Sequence, residues 1–140
     1  MVDLGRPRDK HVPSVLRDHI LPFDWHVQAV WARPAPCIDL PAERFSEFLD
    51  LPFWSSRPGC GLLFDTTPRQ VMTKPQDYPE QARRLADADL TYPADLLYWQ
   101  GRYWILDGLH RIVRQLQLGH ATLPTRLHDP SVIPAIIVSQ

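Results

Sequence analysis

The stretch YPADLLYWQGRYWILDGLHRIVRQLQLGHATLPTRL, residues 92–127, decides the fold. Two short aromatic and aliphatic runs, Ala94–Trp99 and Arg102–Leu106, are separated by the pair Gln100-Gly101. Strand-like runs on either side of a two-residue connection that contains glycine are typical of a β-hairpin. The sequence therefore predicts two antiparallel strands joined by a tight turn.

A helix is predicted directly after the hairpin, over 109–118. Its apolar residues recur at the spacing of a single buried stripe: Leu109, Ile112, Val113 and Leu116. Gly119 suits the end of this helix, because glycine adopts the left-handed conformation at little cost. Ala121–Leu127 predicts a further strand, in which Pro124 indicates an edge or irregular position, since proline cannot donate to a sheet ladder.

The residues before the hairpin predict a strand and three helices. The strand covers 37–40 and is followed by an amphipathic helix over 42–50. Thr67-Pro68-Arg69-Gln70 fits a capping box, so a second helix is expected to begin at Thr67. A third helix is expected to begin near Pro79. Its predicted inner face consists of Ala82, Leu85 and Ala86.

The two ends of the chain carry weaker signals. Residues 1–12 are polar and are expected to be flexible. The apolar stretch 133–138 fits either a strand or a packed tail. Together the elements predict an α+β fold with a small mixed β-sheet and packed helices, in one domain over 1–140.

The composition excludes some classes of function. The chain has 15 Lys and Arg against 16 Asp and Glu, a formal net charge of -1, whereas a sequence-independent DNA binder needs a concentrated basic surface. No apolar run reaches the roughly 20 residues that a membrane span needs. The first residues, MVDLGRPRDK, do not resemble a secretory signal. A cytoplasmic protein without a membrane partner is therefore expected.

The step from the hairpin to the next helix is the most informative part for function. A strand ends, Asp107-Gly108 forms a turn, and a helix begins, so unpaired backbone N–H groups and the positive end of the helix dipole lie together. An anion such as phosphate satisfies both. His110 and Arg111 are in the first helical turn and are expected to add charge-assisted hydrogen bonds, with Arg114 on the same polar face.

A simpler interpretation explains the same residues without a ligand. Asp107 would cap the helix, Gly108 would be an ordinary turn glycine, and the basic residues would face water. Spacing alone does not separate this interpretation from a phosphate site.

The stretch 92–127 resembles the ParB/sulfiredoxin-like superfamily. Members of that group have a hairpin, a Gly-x-His-Arg or Gly-x-Arg-Arg turn, a helix that ends in Leu-Gly, and a strand that contains an x-Pro-x-x sequence. The chain has these features in order: the hairpin, Gly108-Leu109-His110-Arg111, Leu118-Gly119 and Leu123-Pro124-Thr125-Arg126. The Asp-Gly form of the turn is similar to that of members that are small-molecule kinases.

The resemblance implies a nucleotide-binding protein that transfers or hydrolyses a nucleotide phosphate. The nucleotide-binding residues that it implies, together with the turn chemistry, are Gly108, Leu109, His110, Arg111, Arg114 and Arg84. Asp107 and His110 are the predicted catalytic residues, and Asp107 is also the predicted magnesium ligand. The implied cofactor is Mg²⁺ with ATP, ADP or CTP, and the second partner is a small metabolite that bears a hydroxyl group. A non-enzymatic nucleotide- or anion-binding regulator and a ParB-like nuclease or DNA-binding module remain alternatives.

Two departures from the superfamily pattern narrow this expectation. Sulfiredoxins have a cysteine between the glycine and the histidine of the turn, and Leu109 stands there in this chain, so sulfinic-acid reduction is not expected. The sequence ends at Gln140, which leaves no room for the helix-turn-helix domain of partition proteins. DNA is therefore not the expected partner.

Overall fold

The computed structural model describes residues 12–57 and 63–138 of the chain. Within them, helices pack on a four-stranded mixed sheet, so the predicted α+β class is confirmed. The strands are Cys37–Pro41 (β1), Ala94–Trp99 (β2), Arg102–Asp107 (β3) and Thr122–His128 (β4). The α-helices are Val27–Ala32 (α1), Pro68–Thr73 (α2), Pro79–Ala86 (α3), Leu109–Gln117 (α4) and Ile133–Ile136 (α5). Short 3₁₀ helices are Ser14–Leu16, Ala42–Asp50, Pro75–Asp77 and Pro130–Val132.

The hairpin of β2 and β3 forms as predicted. Gln100 and Gly101 have φ values of 55° and 77°, so both central residues of the turn are left-handed. This turn geometry matches the right-handed twist of paired strands. The hairpin brings Asp107 opposite Asp95 at its open end, next to the start of α4.

The sheet has the strand order β1-β4-β2-β3, in which β2 and β4 are parallel and the other pairs are antiparallel. Of the two positions predicted for Pro124, edge or irregular, the edge is wrong, because β4 lies inside the sheet. Pro124 is tolerated there because the ladder to β2 begins only at Thr125, which pairs with Ala94. On its other side Pro124 is opposite Asp39 of β1.

Both faces of the central strand β2 are covered. Leu96 belongs to an apolar cluster with Phe45, Ile112 and Leu123, whereas its neighbour Leu97 belongs to another cluster. That second cluster is formed mainly with Val30, Trp104, Leu106 and Ile136. Because side chains alternate along a strand, helices must pack on both sides of the sheet to bury the two sets.

Helix α4 packs against the sheet through the predicted stripe. Ile112 and Val113 are fully buried, while Leu109 and Leu116 are half-buried. The helix ends in a Schellman arrangement: the N–H of Gly119 donates to the carbonyl of Leu116, and that of His120 donates to Gln115. The predicted left-handed glycine is confirmed, with φ of 79°.

The helices before the hairpin agree in position with the prediction and differ in detail. The predicted capping box at Thr67 is present, with reciprocal bonds to Gln70. The segment 42–50 is helical as expected but is a 3₁₀ helix. In α3 the predicted inner face is partly wrong, because Ala86 is exposed and the polar Gln81 is buried beside Leu85.

The final apolar stretch is a short helix that ends in an extended tail. Residues 133–136 form α5, and Ile137 then makes an antiparallel bridge with Trp25. Of the two alternatives predicted for 133–138, the packed tail therefore describes the structure better than the strand. The predicted flexible segment 1–12 lies outside the described residues apart from Val12, which is buried in the core. No helix in the described ranges combines the length and the apolar character that crossing a membrane requires.

Candidate functional site

The turn between β3 and α4 has the geometry of an anion-binding helix start. Gly108 is the N-cap residue, with φ of 99° and ψ of 26°. No side chain of the described residues caps this end of the helix. The first backbone N–H groups of α4 are therefore available to a ligand, and the helix dipole adds partial positive charge at the same point.

The carboxylate of Asp107 does not cap α4, which removes the simpler interpretation of this residue. Its Oδ2 accepts hydrogen bonds from Trp31 Nε1 at 2.8 Å and from Arg111 Nη2 at 3.1 Å. Its Oδ1 accepts none within the described part of the chain. Asp107 is thus held in place by one oxygen while the other stays open.

The guanidinium of Arg111 is used mainly by the fold itself. Besides Asp107, it donates from Nη1 to the carbonyls of Pro93 at 2.8 Å and Tyr92 at 3.4 Å. Arg111 therefore ties the residues that precede β2 to the first turn of α4.

A cleft of about 360 Å³, here called the turn cleft, opens onto the helix start. One wall is the turn itself, 107–111, and the other consists of the end of α3 and the residues after it. The charged side chains that line the turn cleft are Arg83, Arg84, Arg111, Asp87, Asp89 and Asp107. Positive and negative groups are balanced, so the cleft is polar without a strong net charge.

A second cleft, of about 420 Å³, adjoins the first. We call it the aromatic cleft, because Trp25, Phe53 and Trp54 contribute to its walls. The two clefts share Arg84, Leu109 and His110. Together they form a polar compartment and an apolar compartment that have these three residues in common.

His110 is an uncharged group in this site. Its ring stacks on the indole of Trp54, with centroids 4.2 Å apart and planes 11° from parallel. Nε2 lies 2.8 Å from Gln81 Oε1. Burial, reinforced by the nearby charge of Arg84, lowers the pKa of His110 to about 4. The expected charge-assisted bond from His110 to a phosphate is therefore not supported at neutral pH.

Acid is expected to destabilise the fold through His110. Because its pKa is about 4 when folded and about 6.5 when unfolded, the unfolded chain binds the extra proton between these values. The free energy of unfolding should therefore fall as the pH drops from about 6.5 to about 4, by about 2 to 3 kcal/mol. Urea unfolding at pH 7 and pH 4.5 measures this loss.

A His110→Phe variant is the control for this pH dependence. Phenylalanine keeps a planar ring against Trp54 but cannot be protonated. Carboxylates such as Asp65 also contribute to acid sensitivity, so the difference between the two proteins isolates His110. Equal acid sensitivity in wild type and variant would contradict the lowered pKa.

The structure brings some predicted nucleotide-binding residues together and leaves one apart. Gly108, Leu109, His110 and Arg111 line the turn cleft, and Arg84, whose exposed side chain comes from α3, lines both clefts. Arg114 lines neither of them and instead donates to Gln117 Oε1 at 2.7 Å.

The predicted metal role of Asp107 receives no direct support from side-chain clustering. No group of three or more acidic, histidine or cysteine side chains suited to a metal ion is present in the described residues. Magnesium in nucleotide sites commonly uses one or two carboxylates together with phosphate oxygens, so a single carboxylate such as Asp107 is compatible with a magnesium ligand.

Sequence reasoning missed three side chains of the site: Trp31, Trp54 and Gln81. Trp31 holds Asp107 although 76 residues separate them, and neither tryptophan carries a local signal for its contact. Gln81 did carry one. Gln81 is four residues before the buried Leu85, so both lie on the inner face of α3. A polar side chain on a buried face is expected to have a specific hydrogen-bond partner.

Comparisons with known proteins returned no relative for this chain: no protein-family model, curated protein or solved structure matches it.

Proposed function

We propose that this chain is a nucleotide-binding protein of the ParB/sulfiredoxin-like type, in which the turn 107–111 holds the phosphates. The observation that carries the proposal is the uncapped start of α4, which opens onto a cleft also lined by the exposed Arg83 and Arg84. Backbone N–H groups, a helix dipole and guanidinium groups are the donors that phosphates use in proteins.

The charge balance of the turn cleft favours a nucleotide that carries Mg²⁺. The phosphates meet Arg83 and Arg84, while the cation meets carboxylates on the same walls. Asp107 is the proposed magnesium ligand, because its Oδ1 is open while Trp31 and Arg111 fix its Oδ2. The adjoining aromatic cleft, of about 420 Å³, lies within the size range of small-molecule sites and suits the organic part of the ligand.

The proposed reaction is transfer of a nucleotide phosphate to a small hydroxyl-bearing metabolite, or its hydrolysis. Phosphoryl transfer depends mainly on positioning and on neutralising charge, which the turn, the arginines and a magnesium ion would supply. The nucleotide is ATP, ADP or CTP in this proposal.

Replacing Arg84 by alanine is expected to weaken nucleotide binding about tenfold or more, because a hydrogen bond from a charged donor is lost. Arg84 is a better probe than Arg111, whose removal would also break the contacts to Pro93 and Asp107. Titration calorimetry with Mg²⁺ and ADP, and separately with inorganic pyrophosphate, measures the change.

Lys74→Ala is the matched control, since Lys74 is an exposed cation that lines neither cleft. Its affinity for both ligands should equal that of the wild type. If the double variant Arg83→Ala and Arg84→Ala binds as tightly as the wild type, the turn cleft is not the phosphate site.

Turnover separates an enzyme from a regulator. A thermal-shift screen of nucleoside di- and triphosphates with Mg²⁺ identifies the nucleotide, and phosphate release or transfer is then measured with candidate hydroxyl-bearing metabolites. Binding without turnover would support the regulator, whereas salt-dependent binding of DNA in place of nucleotides would support the DNA-binding alternative.

A further inference from the structure

The hydrogen bonds around Gln81 define the protonation of the His110 ring. Gln81 Nε2 lies 3.4 Å from the carbonyl oxygen of Ser55, which can only accept a hydrogen bond. The amide oxygen of Gln81 therefore faces His110, at 2.8 Å from Nε2. Since an amide oxygen also only accepts, the ring must carry its proton on Nε2.

The other ring nitrogen of His110 is consequently an acceptor. Nδ1 makes no hydrogen bond within the described ranges, and it is not among the buried atoms that lack a partner, so it reaches the solvent of the clefts. Its lone pair repels a phosphate oxygen and attracts a hydroxyl hydrogen. His110 is thus built to accept a hydrogen bond from a ligand and not to hold an anion.

The position of His110 indicates which hydroxyl group it meets. His110 is one of the three residues that line both the turn cleft and the aromatic cleft. A nucleotide with its phosphates at the start of α4 and its base in the aromatic cleft would place its ribose beside these shared residues. The ribose hydroxyls are the donors that such a ligand presents there.

We propose that His110, oriented by Gln81 as the Nε2–H tautomer, accepts a hydrogen bond from a ribose hydroxyl of a ribonucleotide that spans the two clefts. This inference rests on the proposed function. It assigns Gln81 as a positioning residue and His110 as a residue that selects ribonucleotides. A molecule without the hydroxyl leaves the lone pair of Nδ1 without a donor.

Binding of ADP and of its 2′,3′-dideoxy counterpart tests the role of His110. The wild type should bind ADP about tenfold more tightly than the dideoxy compound, since one hydrogen bond is lost. His110→Phe should remove this preference, and Gln81→Met should weaken it, because the Nε2–H tautomer is then no longer fixed. Equal binding of the two nucleotides by the wild type would overturn the proposal.

Two further measurements separate this inference from the proposed function. Inorganic pyrophosphate has no ribose hydroxyl, so the wild type should bind it whether or not His110 accepts a hydrogen bond from a ribose. If neither pyrophosphate nor any nucleotide binds, the proposed phosphate site is contradicted, and the ribose contact, which depends on it, is contradicted as well. If pyrophosphate binds and the ribose preference is absent, only the inference fails.

Long-range ¹H–¹⁵N NMR of the histidine rings tests the positioning step without any ligand. His110 of the wild type should be the Nε2–H tautomer, and Gln81→Met should give a mixture of tautomers. A merely structural role of Gln81 would not change the tautomer. An Nδ1–H ring in the wild type, or an unchanged tautomer in Gln81→Met, would overturn the proposal.

Discussion

Replacing Gly108 by alanine is expected to lower the free energy of unfolding by about 3 kcal/mol, from two separate causes. The φ of 99° is a left-handed conformation that costs an L-residue about 1–2 kcal/mol. The added Cβ would also lie 3.0 Å from Cβ and 3.1 Å from Cα of Ala94, which is fully buried. Neither the strand β2 nor the start of α4 can move away without disturbing the core.

Gly119→Ala is the matched control for this prediction. Gly119 has a similar φ of 79°, and a Cβ added there meets nothing within 4 Å. The free energy of unfolding should therefore fall in Gly119→Ala by about 1–2 kcal/mol, the cost of the left-handed backbone alone. Urea unfolding of both variants gives the difference, which measures the contact with Ala94. Equal losses at the two glycines would contradict a steric role for that contact.

Replacing Asp95 by leucine is expected to cost about 4 kcal/mol of stability, because it leaves buried polar partners uncompensated. Asp95 is 2% exposed, accepts a hydrogen bond from His128 Nε2 at 2.9 Å and forms an ion pair with Arg126 Nη1 at 3.1 Å. Nδ1 of the buried His128 already has no partner in the described residues. Without Asp95, the whole imidazole would be buried with no hydrogen bond.

Exposed and conservative variants provide the comparison for Asp95. The ion pair of Asp50 with Arg69 is short, at 2.6 Å, but both side chains are more than half exposed, so Asp50→Leu should change the unfolding midpoint little. Asp95→Asn keeps an acceptor oxygen and should lose less stability than Asp95→Leu. If Asp95→Leu were no more harmful than Asp50→Leu, the buried network would contribute nothing to stability.

Local signals in the sequence predict the hairpin, α4 and its caps. Gly101, Gly108 and Gly119 all have a left-handed backbone, which was predicted for Gly119, because turn and cap geometry depends on a few neighbouring residues. The errors arise where distant elements decide. Pro124 lies inside the sheet because the β2 ladder begins one residue later, and Gln81 is buried because it meets His110 from another helix.

The candidate site is predictable in its backbone and not in its side chains. The strand–turn–helix pattern predicts the open helix start, and Arg84 lines the cleft beside it. The charge of His110 was not predictable, since it depends on burial against Trp54 and on its bond to Gln81. Both partners are remote in sequence, so no local pattern identifies them as neighbours of His110.

The stacking of Trp54 on His110 has a practical consequence for spectroscopy. Because a protonated imidazole quenches an indole that lies against it, the emission of Trp54 is expected to fall as the pH drops through the pKa of His110, about 4. A ligand that displaces the imidazole is expected to change the same emission. The chain thus carries a fluorophore in the wall of the aromatic cleft, and Trp54→Phe identifies its signal among those of the other tryptophans.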